Sequence, residues 1–91
     1  MTKPRWRLIV APSANRTLER LPEKAAAAAV EFMLGALTKN PHRVGHPLRH
    51  ELEGLRSAWR GPYRVVYEIV EATNEIYVLR IDHRADVYRP R

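Results

Sequence analysis

Two strand-like segments flanking the polar stretch EATNE constrain this chain more than any other feature. In YRVVYEIV, alternation puts Tyr63, Val65, Tyr67 and Ile69 on one face and Arg64, Val66 and Glu68 on the other. IYVLRIDH, from Ile76 to His83, reads as the partner strand of a hairpin closed by EATNE. Symmetric pairing about that loop brings Arg80 near Val66 and Glu68 and sets Arg64, Arg80 and Asp82 on one surface. A slip of one residue would move the whole set to the other face.

The rest of the chain supplies what the hairpin packs against. WRLIVA, Trp6 to Ala11, alternates as a first strand, and the turn RGP is preceded by LRSAW, a strand from Leu55 to Trp59. Between them the spacing predicts two helices, the first capped by Ser13 and interrupted at Pro22, the second running from Glu23 to about Lys39. Ala26, Val30, Met33 and Leu37 recur on the second helix as one stripe, and Asn40 and Pro41 end it. His42 to Gly54 has no regular period. The order β-α-α-β-β-β predicts an α+β fold, a small, mostly antiparallel sheet with two N-terminal helices packed on one face.

A chain of 91 residues has room for one domain, spanning 1–91, with a single modest core. It has no cysteine, so disulfides, thiolate metal sites and a cysteine nucleophile are excluded. The apolar run Leu8 to Ala11 before Pro12 is too short for a signal segment or a membrane span, so the expectation is a cytoplasmic protein without membrane attachment. The net charge of +6 favours a polyanionic partner. Residues 45–91 carry eight Arg, no Lys and seven acids. Arginine grips a phosphate through two parallel hydrogen bonds, which lysine cannot do.

Few residues offer other chemistry. His42, His46 and His50 are spaced by four, but Pro41 and Pro47 oppose the helix that would align them on a metal, so no metal is expected. The four glycines are isolated, and no phosphate-cradling loop or other cofactor site is expected.

The stretches GPYRVVY, Gly61 to Tyr67, and HRADVY, His83 to Tyr88, resemble the RelE-like toxins of the RelE/ParE toxin–antitoxin superfamily. The resemblance covers nearly the whole chain. It implies a ribosome-dependent endoribonuclease that cuts mRNA in the A site, needs no cofactor, and is neutralised by an acidic antitoxin in a hetero-oligomer. By position it implies that Arg64 stabilises the phosphate in the transition state, Arg84 lies near the leaving group, and Tyr88 orients the nucleotide. Arg56 falls where some members have a basic residue that contacts the RNA backbone, Arg60 lies close enough to assist, and Arg80 joins them through the hairpin register.

The lysine that some members use as a base falls, by this alignment, at Ala58. Attack of a 2'-OH on its own 3'-phosphate needs a proton acceptor, charge stabilisation and a proton for the 5'-oxygen. Arginine serves the second need, since it stays protonated and has no acceptor lone pair. Histidine titrates nearest to neutral pH, which makes His83 the candidate base. Two alternatives stand beside this reading: a ParE-like poison of DNA gyrase and a non-catalytic basic binding module.

Overall fold

The computed structural model describes residues 6–87. Strand β1 (Arg7–Val10) leads into α1 (Pro12–Arg20) and α2 (Glu23–Phe32), and α2 continues through a π-helical turn, Met33–Leu37. A short α3 (Pro41–Val44) and β2 (His46–Pro47) precede the meander β3 (Arg56–Arg60), β4 (Tyr63–Val70) and β5 (Glu75–His83), and α4 (Arg84–Val87) follows. The five strands form one sheet in the order β1-β5-β4-β3-β2. All neighbours are antiparallel except β1 and β5. This is the α+β fold that the sequence predicts, with α3, β2 and α4 added to it.

Local chemistry sets the helix boundaries. Pro12 occupies the first turn of α1, where its missing N–H goes unused, so Ala11 rather than Ser13 is the N-cap. Ser13 lies inside the helix and its Oγ donates to the Leu79 carbonyl at 2.7 Å. Pro22, extended at φ −54° and ψ 145°, separates α1 from α2. The expected stripe on α2 is corrected at one position. Ala29, Met33 and Leu37 are buried, whereas Val30 is exposed. The π turn explains the change, because its wider winding keeps residues four apart in line on the core face.

One face of the sheet holds the core: Ala58, Val65, Tyr67, Ile76, Val78 and Ile81 cluster with Ala14 of α1 and with Met33 and Leu37. Leu8 and Val10 register beside Ile76 and Val78 and pack against the same cluster. Burial of such side chains, at about 25 cal/mol per Å² of apolar surface, is the main favourable contribution to folding.

A polar latch ties the segment after α2 to the sheet. The Tyr67 hydroxyl donates to the Pro41 carbonyl at 2.6 Å, and Arg56 Nη2 donates to the carbonyls of His42 and Gly45 at 2.7 and 2.9 Å. Burial pushes the Tyr67 phenol above its ordinary value of 10.0, with the Arg56 guanidinium pulling the other way. The phenol is therefore a neutral donor near neutral pH. Gly45 is required by closeness, since its φ of −130° suits any residue. A Cβ there would collide with the Tyr67 hydroxyl and come within 2.7 Å of the Ser57 carbonyl. Gly45→Ala is expected to destabilise the fold by about 1–3 kcal/mol, read as a lower urea midpoint at unchanged slope. An unchanged midpoint would mean that the latch yields without strain.

Candidate functional site

The site begins with an irregularity in β5. Near the loop, Val70 pairs with Glu75 and Tyr67 with Val78; beyond it, Val66 pairs with Arg80 and Arg64 with Asp82. Leu79 is the extra residue, a β-bulge. The symmetric register expected from the sequence thus holds for Tyr63 to Val66 and is one residue off from Tyr67 to Val70. Strict alternation would leave Ile76, Val78, Arg80 and Asp82 on a single face. The bulge divides them: Ile76 and Val78 enter the core, while Arg80 and Asp82 turn to the face of Arg64. The Ser13 hydroxyl bonds to the carbonyl of the extra residue, so α1 is fastened at the same point.

On that second face a single carboxylate oxygen gathers two guanidinium groups. Asp82 Oδ2 accepts from Arg64 Nη2 and from Arg80 Nε, each at 3.0 Å. The side chains of Arg64, Asp82 and Arg80 are 14%, 22% and 47% exposed, so shielding from water decreases from Arg64 outward to Arg80. Two guanidiniums against one carboxylate leave one positive charge in excess. Among the described residues Arg64 Nε is buried without a hydrogen-bond partner. Arg80 engages Asp82 through its Nε, at one edge of the planar guanidinium. The arrangement suits a tetrahedral anion approaching a fixed, partly desolvated positive surface.

The other sequence candidates are not all gathered there. His83 pairs in register with Tyr63, on the core side of the sheet, and the two rings meet edge to face at 5.1 Å between centroids. His83 Nδ1 accepts the Ala85 N–H at 3.0 Å, so the proton of the neutral ring sits on Nε2. In this arrangement His83 offers a donor and has already used the lone pair that a base would need. Arg84 is exposed at the start of α4, its backbone N–H bonded to the Pro62 carbonyl at 2.7 Å. Arg60 is exposed at the end of β3, beside Gly61, Pro62 and the alanines of α2. Arg56 lies on the core side, opposite Tyr67, with its Nη2 bonded inside the latch. Tyr88 lies outside the described residues.

The position where the resemblance aligns the family lysine lies on the core side of β3. Ala58 is buried on the helix-covered face opposite Val65, so a longer side chain there would point away from Arg64. The β3 residues that share Arg64's face are Trp59, directly opposite it, and Ser57, opposite Val66. Neither is a base near neutral pH. The three spaced histidines fall in different elements, α3, β2 and the short 3-10 turn His50–Leu52, and His42 Nε2 approaches Glu71 at 2.8 Å. Among the described residues no group of three or more His, Asp or Glu side chains is placed to hold a metal ion. The hairpin pattern places Asp82 beside the arginines, and its alternation with Arg80 next to Arg64 is the sequence signal for its part in the site.

Residues 8–88 match the family model described as the ParE toxin of type II toxin–antitoxin systems, parDE. The chain is 50% identical over 84 residues to "Toxin RelE" of Mycobacterium tuberculosis, covering 92% of this chain and 87% of that protein. It is 51% identical over 77 residues to "Toxin RelG" of the same organism, covering 85% of this chain and 88% of that one. Its fold superposes on the toxin–antitoxin complex RelBE2 from M. tuberculosis with a TM-score of 0.85 and 43% identity, covering 89% of this chain and all (100%) of the other.

Proposed function

Because the chain belongs to the ParE toxin family of type II toxin–antitoxin systems, within the RelE/ParE superfamily, we propose that its activity is ribosome-dependent cleavage of mRNA. The reaction is transfer of the phosphoryl bond within the RNA: the 2'-oxygen attacks the adjacent phosphorus, the bond to the 5'-oxygen breaks, and a 2',3'-cyclic phosphate forms. The 2'-OH proton goes to an acceptor and the departing 5'-oxygen takes one up. Arg64 stabilises the phosphorane charge, Arg80 extends the same positive surface along the RNA, and Arg84 serves the leaving oxygen at the end of β5. His83, donating through Nε2, suits protonation of the 5'-oxygen better than abstraction from the 2'-OH. The acceptor is then supplied from outside the described residues or by the ribosome–mRNA complex.

The observation that carries this reading is the half-identity with a protein named Toxin RelE across nearly the whole chain. The convergence of Arg64 and Arg80 on one oxygen supports it chemically. The protein acts in the cytoplasm, where its substrate is translated. Its partner is an acidic, amphipathic antitoxin, a reading supported by the antitoxin in the similar RelBE2 complex and by the net charge of +6.

A ParE-like action on DNA gyrase is the second reading, favoured by the name of the matching family model and by the absence of a neutral-pH base beside Arg64 on β3. Expression of the chain alone is expected to arrest growth within a few generations and to create discrete, translation-dependent mRNA ends by primer extension, with plasmid supercoiling unchanged. Altered supercoiling with intact mRNA would select the gyrase reading, and unimpaired growth with soluble protein would remove both.

A further inference from the structure

We propose that Asp82 is a positioning residue that holds the guanidiniums of Arg64 and Arg80 as one phosphodiester-binding fork while cancelling one of their two charges. The inference rests on the reading of Arg64 as the residue that meets the phosphate. Its first support is geometric: Oδ2 of Asp82 sits 3.0 Å from Arg64 Nη2 and 3.0 Å from Arg80 Nε, so one atom fixes both side chains. Its second is burial. Arg64 and Asp82 are both largely shielded, unlike the solvated ion pairs whose partners exchange freely with water. Its third is the bulge at Leu79, without which Asp82 would not share Arg64's face.

A carboxylate in this position has two opposed effects on an RNA ligand. It repels the phosphate, weakening association, and it fixes the fork that the transition state needs. Removing it therefore separates binding from chemistry. Asp82→Ala is expected to tighten binding of RNA and steepen its salt dependence, by about 0.7 in log–log slope for one added charge on a single strand. The same change is expected to slow cleavage at saturation by about 10- to 100-fold, the consequence of an arginine displaced by about 1 Å. Asp82→Asn removes the charge and keeps an acceptor oxygen. It should tighten binding as Ala does while losing less of the rate.

The test compares purified wild type, Asp82→Asn and Asp82→Ala by three readouts. The first is single-turnover cleavage on programmed ribosomes, fitted for maximal rate and half-saturation. The second is binding of a 2'-O-methyl RNA oligonucleotide, which cannot be cleaved, across a salt series. The third is the ¹⁵N–¹H resonance of Arg64 Nη2, the donor to Asp82, assigned by its loss in Arg64→Lys; it should be protected from exchange in wild type and lost to exchange in the Ala variant. Tighter binding together with a slower maximal rate upholds the proposal. Binding and rate that fall together, or an unchanged Arg64 resonance in Asp82→Ala, overturn it. If wild type leaves programmed mRNA intact, the ribonuclease reading fails separately, and the oligonucleotide and resonance measurements still decide whether Asp82 positions the fork. Should the Ala variant not fold, the isosteric Asn variant decides alone: tighter binding upholds the proposal and unchanged binding overturns it.

Discussion

Arg64→Ala is expected to reduce mRNA cleavage by about 10²- to 10³-fold, the usual consequence of removing one preorganised donor from a developing oxyanion. Arg64→Lys should be nearly as damaging. A lysine keeps the charge, but its single ammonium cannot both pair with Asp82 and present a planar fork to the phosphate. The geometry also changes what to expect for stability. Alternation alone places Arg64 on a solvated face, where truncation should be harmless, yet its side chain is only 14% exposed and donates to Asp82. Truncation leaves Asp82 with Arg80 as its remaining arginine, so Arg64→Ala should also lose about 1–3 kcal/mol of folding stability. Cleavage by purified variants on programmed ribosomes, with circular dichroism melts alongside, separates the two losses. Full activity in the Lys variant would mean that Arg64 contributes charge alone. A variant that is unfolded at assay temperature would make the arginine primarily structural.

The parts of this fold legible in the sequence are those with a short, strong period. Alternation between a Gly-Pro turn and a polar loop delimits Tyr63–Val70, and the strand has those bounds. What the sequence hid was a change of phase. An extra residue in β5 inverts the strand's alternation and a π turn after α2 rotates the helix's apolar stripe, and no composition signal marks Leu79 or Met33 as the place where this happens. The hairpin nevertheless put Arg64, Arg80 and Asp82 together, because symmetric pairing coincides with the true register beyond the bulge. His83 illustrates the converse. Its residue type suggested a base, whereas its role as acceptor for the Ala85 N–H depends on a tertiary turn that spacing cannot reveal. Position in the sequence groups Arg56 with the other candidate RNA-binding arginines, and only the strand register shows that it faces Tyr67 and bonds to the His42 and Gly45 carbonyls.

That separation of arginines by face leads to the second large expected effect. Arg56→Ala should destabilise the fold by about 3–5 kcal/mol, since it removes two charge-assisted hydrogen bonds of about 1.5–3 kcal/mol each and leaves carbonyls of the latch without their donor. Arg80→Ala should do the reverse. Its side chain is about half exposed, so the fold should be barely affected, but removing one cation from the proposed phosphate-binding surface should flatten the salt dependence of RNA binding by about 0.7 in slope. Urea midpoints and binding of an uncleavable RNA oligonucleotide, measured on both variants, distinguish the two environments. The Gly45 and His42 carbonyls that Arg56 satisfies are backbone atoms, so Arg56→Lys should recover only part of the loss; an ammonium offers N–H donors without the reach and planarity of the guanidinium. If Arg56→Ala instead folds with wild-type stability and weakens RNA binding, the latch is dispensable and Arg56 belongs with the arginines proposed to meet the RNA.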